Sequence, residues 1–543
     1  MKKTVANLLI EHLRKFGVQY VYGIPGKPIV PLILEMDRCE MPFILARHEA
    51  GAGFMASGYA LQNNTFGVAL GTSGPGGTNM LTAAGQAMAF HLPVIFITGH
   101  PSIKETGTAL GQDSTLFGTD LVKMFEPVTR FSARVERGDL FPIYFQHAIE
   151  KAISGNRGPV HLSIPSDVLL EEIEPFDLEL PKPYTMVSNR LDEALSVIEK
   201  ANSPLLFVGK GVHLSHAYEE IKELSIRFDI PIITTPGGKG AVRTDHPGYL
   251  GPFGLGGTKE AAAYLKSGVD LLIVVGTKLS DMTLAGFSSD MYPKQILQFD
   301  IDPTFVGKSL PIPTFSVIGD AKDNLKALLA KIQEVVKKES ALQPITYEKS
   351  QDVYSSKGYI LASKAVQVLR EQLPPETVVF GDDGSHSFYA IQQFDIQQEG
   401  TFYFDDVFGS MGNGIGFSIG AKMANPETPI VCLTGDGCTL MFGTEISTAV
   451  CHNVQVIFVV FNNGRLDMVD KGMRHNVGRA VGTVYEVGVD VQLFAESLGA
   501  TSFKCRKEED IEKAIVFGLQ NQGPTVLEVI VDPDEVPPTM SRG

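Results

Sequence analysis

The stretch IVCLTGDGCTLMFGTEISTAVCHNVQVIFVVFNN, residues 430–463, contains two apolar runs of strand length that each end in polar residues. The first run is followed by Gly435-Asp436-Gly437 and the second by Asn462-Asn463, and residues 438–461 separate the two polar motifs. Apolar runs joined by a helix-length segment indicate parallel strands with a crossover connection. Ligands bind beyond the carboxyl ends of such strands, so both motifs are predicted to meet at one ligand site.

The residue types at this predicted site suit a metal-bound diphosphate. The Asp436 carboxylate, the Asn463 amide and the Arg465 backbone carbonyl are oxygen ligands that suit Mg²⁺, which usually also keeps phosphate oxygens. Glycines at 435 and 437 let backbone amides approach an anion closely, and a helix expected to begin near Phe442 would point its N-terminus at that charge. The alternative is two unrelated turns, because Gly, Asp and Asn are common turn residues.

Similar strand and helix patterns occur along the whole chain. Strand-length apolar runs alternate with helix-length segments, which predicts an α/β protein with three doubly wound, mostly parallel sheets. These runs are residues 20–23, 43–46, 67–71, 94–98 and 160–164 in the first part, 204–208, 230–235, 271–275 and 298–301 in the second, and 378–380, 430–434, 456–461 and 526–531 in the third. The proline-rich segment 174–188 and the polar tract before residue 356 are predicted linkers.

The composition and net charge of the chain favour some classes of protein over others. The 543-residue chain is 44% hydrophobic and 20% charged, the balance of an α/β globular enzyme. Its net charge of −16 disfavours nucleic acid and anionic membranes as partners. The five cysteines include no CxxC pair, which favours a reducing compartment. Because no run reaches the length of a membrane helix and the N-terminus lacks the apolar core of a signal peptide, we expect a cytoplasmic protein.

Several separated motifs together resemble one enzyme family. The spacing of the 435–463 motifs is similar to the signature of thiamine-diphosphate enzymes, and the chain looks like the acetolactate synthase branch, catalytic subunit. The other matching segments are Ile24-Pro25-Gly26, residues 72–79, Gly158-Pro159-Val160, Ile301-Asp302-Pro303 and residues 409–412. The resemblance implies a pyrimidine-binding domain over residues 1–175, a central domain over 188–340 and a diphosphate- and Mg²⁺-binding domain over 358–543.

The resemblance also implies roles for individual residues. Glu49 is expected to hydrogen-bond the aminopyrimidine ring of the cofactor and promote its activation. Met411 would be the apolar wedge beneath the two cofactor rings, and Gln112 would hold a substrate carboxylate or carbonyl. Further cofactor contacts are expected from Gly384, Ser385, His386, Gly409, Gly435, Asp436, Gly437, Cys438 and Asn463. Taken without the other motifs, Glu49 is more consistent with a surface residue in the first turn of a helix, and the alternative for Met411 is an ordinary core residue.

The sequence departs from the acetolactate synthase branch at three positions. Gly472 stands where the branch has a tryptophan that shapes the acceptor pocket, and the chain has no Trp. Met282 replaces an arginine that binds the acceptor carboxylate, a bidentate interaction that a thioether cannot make. Gly111 replaces the phenylalanine before Gln112. A second 2-oxo acid is therefore in doubt as the acceptor, unless Lys278 or another cation binds it.

The predicted function is decarboxylation of a small 2-oxo acid, with pyruvate the first candidate, followed by carboligation to an acceptor carbonyl. Alternatives are a 2-oxo acid decarboxylase, a cross-acyloin carboligase with another acceptor, a flavin oxidoreductase and a non-catalytic scaffold. Thiamine diphosphate and Mg²⁺ are the expected cofactors. FAD is a further candidate, because residues 209–211, 234–235, 254–256 and 300–302 look compatible with nucleotide binding. The family also implies a homodimer or homotetramer with active sites at the dimer interface.

Overall fold

The computed structural model describes residues 1–63, 65–182, 185–332 and 354–538. Within these residues the chain forms three six-stranded sheets that follow one another along the sequence, and every strand pair within them is parallel. The predicted α/β class with three doubly wound sheets is confirmed. The predicted central and C-terminal domains also include residues 333–340 and 539–543, which lie outside the described residues.

The first sheet has the strand order β3-β2-β4-β5-β7-β6, and a short antiparallel pair, β1 with β8, lies apart from it. The strands of the six-stranded sheet are β2 (Val21–Gly23), β3 (Phe43–Leu45), β4 (Gly67–Gly71), β5 (Val94–His100), β6 (Phe131–Arg134) and β7 (Val160–Pro165), and the separate pair is β1 (Lys3–Thr4) and β8 (Glu172–Ile173). Its helices are α1 (Val5–Lys15), α2 (Val30–Arg38), α3 (Glu49–Asn63), α4 (Pro75–Thr78), α5 (Leu81–Ala89), α6 (Leu121–Phe125), α7 (Phe141–Ile153) and α8 (Ser166–Leu169).

The central sheet has the order β11-β10-β9-β12-β13-β14. Its strands are β9 (Pro204–Val208), β10 (Ile232–Thr234), β11 (Tyr249–Pro252), β12 (Leu271–Val275), β13 (Gln295–Asp300) and β14 (Thr314–Ile318). Its helices are α9 (Leu191–Lys200), α10 (Gly211–Ser215), α11 (Tyr218–Phe228), α12 (Lys259–Lys266) and α13 (Ala321–Leu329). Strand β12 is buried along its whole length, as expected for a parallel strand covered on both faces.

The third sheet has the order β16-β15-β17-β18-β20-β19. Its strands are β15 (Val378–Gly381), β16 (Phe402–Phe404), β17 (Ile430–Gly435), β18 (Ile457–Asn462), β19 (Thr501–Cys505) and β20 (Thr525–Ile530). Its helices are α14 (Ala362–Gln372), α15 (Ser385–Gln393), α16 (Asn413–Ala424), α17 (Asp436–Phe442), α18 (Ile446–Cys451), α19 (Asp467–Val477), α20 (Val491–Ser497) and α21 (Glu508–Gln520). Strand β15 has β16 on one side and β17 on the other, so the chain reverses its direction of winding there, the usual place for a ligand crevice.

Glycines bring the first and third parts of the chain together. Helices α3 and α16 pack so closely that a β-carbon on Gly58 would lie 2.0 Å from the Phe417 carbonyl oxygen. A β-carbon on Gly420 would lie 1.8 Å from the Met55 carbonyl oxygen. A side chain at either position would force the helices apart, so these glycines fix the distance between the two sheets. Among the described residues, no helix is long and apolar enough to cross a membrane.

Candidate active site

A pocket opens beyond the carboxyl ends of β15, β17 and β18, where the sequence predicts the ligand site. The structure brings together in its wall most of the residues predicted to contact the cofactor or metal: Gly384, Ser385, His386, Met411, Gly435, Asp436, Gly437, Cys438, Asn463 and Arg465. Neighbouring lining residues that the sequence analysis did not name include Asp383, Tyr389, Leu466 and Asp467. Gly409 adjoins the pocket, because a β-carbon placed on it would lie 3.5 Å from Asp383 Oδ2.

Asp436 lies at the base of this pocket, at the junction of β17 and α17. Its carboxylate accepts hydrogen bonds from the Gly437 amide at 2.9 Å and from the Gly464 amide at 2.8 Å. Desolvation by burial raises the pKa of Asp436 to about 6, so ionisation is costly without a nearby cation. The expected helix start near Phe442 is wrong: α17 begins at Asp436 and ends at Phe442, because the turn starts directly where β17 ends.

The pocket wall fits a diphosphate with a bound cation. Three buried polar atoms of lining residues, Asp383 Oδ1, Ser385 Oγ and Arg465 Nε, have no hydrogen-bond partner in the described part of the chain. A β-carbon on Gly437 would lie 2.7 Å from Leu466 Cδ2 and 3.0 Å from Met411 Cε, so only glycine leaves this part of the wall open. Among the described residues, no three His, Cys, Asp or Glu side chains cluster as a metal site. A cation beside Asp436 would therefore draw further ligands from amide, backbone and phosphate oxygens.

Asp382 holds the turn that carries Met411, a role that the sequence analysis missed. Its Oδ1 accepts hydrogen bonds from the Asp383 and Gly412 amides, both at 2.8 Å, and its Oδ2 accepts one from Thr434 Oγ1 at 2.8 Å. Burial raises the pKa of Asp382 to about 6. Two consecutive acidic residues directly after a buried strand were a visible signal, since charged residues are rarely buried without a specific partner.

A second buried carboxylate, Asp405, connects the three parts of the chain at the same turn. It accepts hydrogen bonds from the Gly409 amide at 2.7 Å and from Gln86 Nε2 of the first part at 2.7 Å. Lys210 of the central part lies 3.3 Å from its Oδ1. Desolvation raises the pKa of Asp405, but Lys210 and these hydrogen bonds outweigh it, and the net pKa is lowered. The turn beside the pocket is thus held by groups distant in sequence.

Glu49 and Gln112 both belong to the first part of the chain and are not in the lining of this pocket. Asn79 Nδ2 donates a hydrogen bond of 2.9 Å to Glu49 Oε2, and Thr72 Oγ1 lies 3.5 Å from Gln112 Oε1. Both residues therefore flank the loop 72–79. Glu49 begins α3 and is 7% exposed, which excludes its interpretation as a surface residue, whereas Gln112 is exposed.

Glu445 of the third part fixes the backbone that leads to Glu49. Its carboxylate accepts hydrogen bonds from the Arg47 amide at 3.0 Å and the His48 amide at 2.9 Å, and from Thr448 Oγ1 at 2.8 Å. Glu445 is fully buried, and burial raises its pKa. Because Glu445 is the eighth residue after Gly437, one short segment connects the pocket wall with the Glu49 loop.

The three positions at which the sequence departs from the acetolactate synthase branch, Met282, Gly472 and Gly111, differ in what surrounds them. Met282 is half-buried and packs on the hydrophobic core of the third part, and its carbonyl accepts a hydrogen bond from the Leu255 amide. A β-carbon on Gly472 or on Gly111 would meet no atom of the described residues within 4 Å. Neither Met282 nor Gly472 lines the pocket around Asp436.

A separate cavity of about 760 Å³ lies between the first and central parts of the chain. Among the residues proposed for nucleotide binding, Lys210, Gly211, Asp300 and Ile301 line it. The segment 254–256 lies elsewhere, because a β-carbon on Gly256 would lie 2.9 Å from Ile391 Cγ2 of the third part. Desolvation and the nearby Lys210 lower the pKa of Lys278, which also lines the cavity.

Comparison with protein families agrees with the fold. Three family models match in the expected order: the N-terminal TPP binding domain of thiamine pyrophosphate enzymes over residues 3–124, the central domain over 191–328 and the C-terminal TPP binding domain over 382–529. The chain belongs to the thiamine pyrophosphate enzyme family, as its sequence motifs predicted. It is a thiamine-diphosphate-dependent enzyme.

Individual members of the family are similar to this chain over nearly its whole length. The chain is 31% identical to an acetolactate synthase of Mycobacterium bovis, over 99% of this chain and 90% of the relative. It is 30% identical to the large subunit of acetolactate synthase isozyme 2 of Escherichia coli, over 99% of this chain and 98% of the relative. A thiamine diphosphate-dependent 4-hydroxybenzoylformate decarboxylase from Rhodococcus jostii RHA1 has the same fold, with a TM-score of 0.87, 22% identity and coverage of 98% and 100% of the two chains.

Proposed function

We propose that this enzyme decarboxylates a small 2-oxo acid, with pyruvate as the first candidate, and transfers the remaining acyl unit to an acceptor carbonyl. The similarity to acetolactate synthases over nearly the whole chain carries this proposal. Thiamine diphosphate supplies the electron sink for decarboxylation when it is bound. The residues of the chain bind and orient the reactants around it and exclude water.

The proposed roles divide between the two sides of the site. Asp436, the Asn463 amide and the Arg465 carbonyl would hold Mg²⁺, and with it the diphosphate. Gly384, Ser385, His386, Gly435, Gly437 and Cys438 would line the diphosphate, and Gly409 and Met411 would contact the rings. Glu49 would exchange a proton with a ring nitrogen, and Gln112 would donate a hydrogen bond to the substrate.

We propose that two copies of the chain form each active site. Support comes from the separation described above: the pocket lining contains Asp436 and Met411 but neither Glu49 nor Gln112 among the described residues. Apolar side chains are exposed near both sides, including Phe117 at 69% and Met441 at 52%. Such residues are favourable where a second copy covers them. A homodimer is the smallest assembly that brings the two sides together, and a homotetramer would contain two such pairs.

A second candidate function is decarboxylation without self-ligation, or ligation to an acceptor that is not a 2-oxo acid. Met282 and Gly472 favour it, because the chain lacks both the guanidinium and the indole ring that the acetolactate synthase branch places at these positions.

FAD in the central part remains a separate prediction. Absorbance spectroscopy of the purified protein between 350 and 500 nm would test it.

The test of function is incubation of the purified chain with thiamine diphosphate, Mg²⁺ and pyruvate, followed by mass spectrometry of the products. Acetolactate would support self-ligation, and acetaldehyde would support a decarboxylase. A mixed acyloin formed only with added aldehyde would support cross-ligation. Glu49→Gln is the matched control, because a product that persists in this variant does not arise at the proposed site.

A further inference from the structure

Asp383 is a buried carboxyl group in the cofactor pocket for which the motifs of the chain assign no role. It follows β15, lines the pocket and is 9% exposed. Its backbone is fixed on both sides: its amide donates to Asp382 Oδ1 at 2.8 Å, and its carbonyl accepts a hydrogen bond from Cys438 Sγ at 3.2 Å. Its Oδ1 has no hydrogen-bond partner among the residues that the structure describes. Leaving such an atom unsatisfied destabilises the protein, so a partner from a bound ligand is favoured.

The position of this carboxyl group indicates which end of the ligand it meets. Asp436 and Asn463 mark the metal and diphosphate end of the pocket, and Gly409 and Met411 mark the ring end. Asp383 Oδ2 lies on the side of Gly409, at 3.5 Å from where a β-carbon of that residue would stand. The side chain therefore faces the ring end, although its backbone continues directly into Gly384.

The surroundings of Asp383 favour its uncharged form. Burial and the nearby carboxylates of Asp382 and Asp405 raise its pKa to about 7. The neighbouring His386 does not supply a compensating charge, since burial lowers its pKa to about 4. A neutral carboxyl group both donates and accepts hydrogen bonds, whereas a carboxylate only accepts them. Such a group suits a ring that carries nitrogen acceptors and an amino group, and it does not repel a diphosphate.

We propose that Asp383 is a second carboxyl residue, in addition to Glu49, that hydrogen-bonds the aminopyrimidine end of the bound cofactor. This inference rests on the proposed cofactor site and extends it. Asp383 contributes to cofactor affinity through the ring and leaves the diphosphate contacts unchanged. Glu49 and Asp383 then approach the ring from different parts of the chain.

Calorimetric titration of the full-length apoenzyme tests this role without measuring activity. Each protein is titrated with thiamine diphosphate and, separately, with inorganic diphosphate, both in excess Mg²⁺. Asp383→Val removes the polar group at similar size and is expected to weaken thiamine diphosphate binding about tenfold, the effect of one buried hydrogen bond. Asp383→Asn keeps a donor and an acceptor and is expected to stay within about threefold of the wild type. Inorganic diphosphate should bind all three proteins equally.

Each other outcome has a defined meaning. Unchanged or tighter binding of thiamine diphosphate to the Val variant would overturn the role of Asp383. An equal loss for both ligands would also overturn it, because the residue would then act on the diphosphate or on pocket shape. If wild-type protein binds neither ligand, the cofactor site itself is wrong. Melting curves check folding, and Asp383→Ala replaces the Val variant if that variant does not fold.

Discussion

The Asp436 side and the Glu49 side of the proposed site differ in how completely one chain builds them. On the Asp436 side, three adjacent parallel strands converge, the key carboxylates are buried and backbone amides hold them in place. On the Glu49 side, the glutamate is held by Asn79, but Gln112 and the neighbouring Phe117 are exposed. The first side is thus held in place by one chain, whereas the exposed residues of the second side are those that the proposed second copy would cover. Binding and activation are therefore expected to be separable by mutation.

The largest expected effect is the loss of turnover in Glu49→Gln. The amide keeps the size of the side chain and its contact with Asn79 but cannot exchange a proton, so turnover should fall about 10²- to 10⁴-fold. Thiamine diphosphate binding, measured by calorimetry, should change little. Asp436→Ala should show the opposite pattern, with loss of Mg²⁺-dependent binding. Near-normal turnover of Glu49→Gln would contradict the division of roles between the two sides.

Mixing these two variants tests whether the sides come from different copies. Each variant alone should be inactive. If each site uses Glu49 of one copy and Asp436 of another, unfolding and refolding the variants together should restore up to about one quarter of wild-type activity, since half of random dimers are mixed and one of their two sites is intact. Activity of the mixture equal to that of the separate variants, at a confirmed dimer mass, would place both sides in one copy.

The sequence predicted the interior strands of the sheets better than the edge strands. Continuous apolar runs predicted the interior strands, with β4, β9 and β12 at their observed bounds. Strands β6, β11, β14, β16 and β19 were not predicted, and all five lie at sheet edges. Edge strands such as β6 and β19 are partly exposed and lack a continuous buried run. Their position depends on pairing with a distant strand, which periodicity does not record.

The candidate site was predictable where local motifs place residues at strand ends. Gly435-Asp436-Gly437 and Asn463 share the pocket because neighbouring parallel strands end at the same edge. Asp405 was not predicted, because its partners Gln86, Lys210 and Gly409 come from three parts of the chain. The same limit applies to Glu445, because two of its partners, the Arg47 and His48 amides, lie about four hundred positions earlier. Such contacts depend on packing between sheets.

Asp405→Asn is expected to have an intermediate effect, on stability and on cofactor binding. Lys210 is 8% exposed, so removing the charge of Asp405 leaves this buried cation with Asp406, at 3.6 Å, as its remaining carboxylate partner, at a cost of about 1–3 kcal/mol. The melting temperature should fall, and the affinity for thiamine diphosphate should weaken as the Gly409 turn loosens. Adding Lys210→Met should recover part of the stability but not the affinity. If both properties recover together, the turn does not depend on Asp405.

The smallest expected effect concerns the pH dependence of stability in the cofactor-free protein. Burial, Asp382 and Asp405 raise the pKa of Asp383 from an ordinary value of 3.8 to about 7. The raised pKa means that the folded state favours the protonated carboxyl, so its contribution to stability is present below about pH 4 and is lost as the pH rises through 7. Asp383→Asn cannot ionise and should melt at a higher temperature than the wild type at pH 8, with no difference near pH 4.

Asp405 provides the comparison of opposite sign. Lys210 and several hydrogen bonds lower the pKa of Asp405. Its carboxylate therefore stabilises the folded state when the pH is above the ordinary pKa of an aspartate, and this contribution is lost as the pH falls through the lowered pKa. The destabilisation by Asp405→Asn should therefore be greatest at neutral pH and diminish in acid. The two neighbouring carboxyl groups would then have opposite roles: Asp405 stabilises the empty protein, and Asp383 destabilises it at high pH while favouring the bound cofactor. Melting curves of both variants from pH 4 to 8 measure this difference, and a shift of the same sign at pH 8 would contradict it.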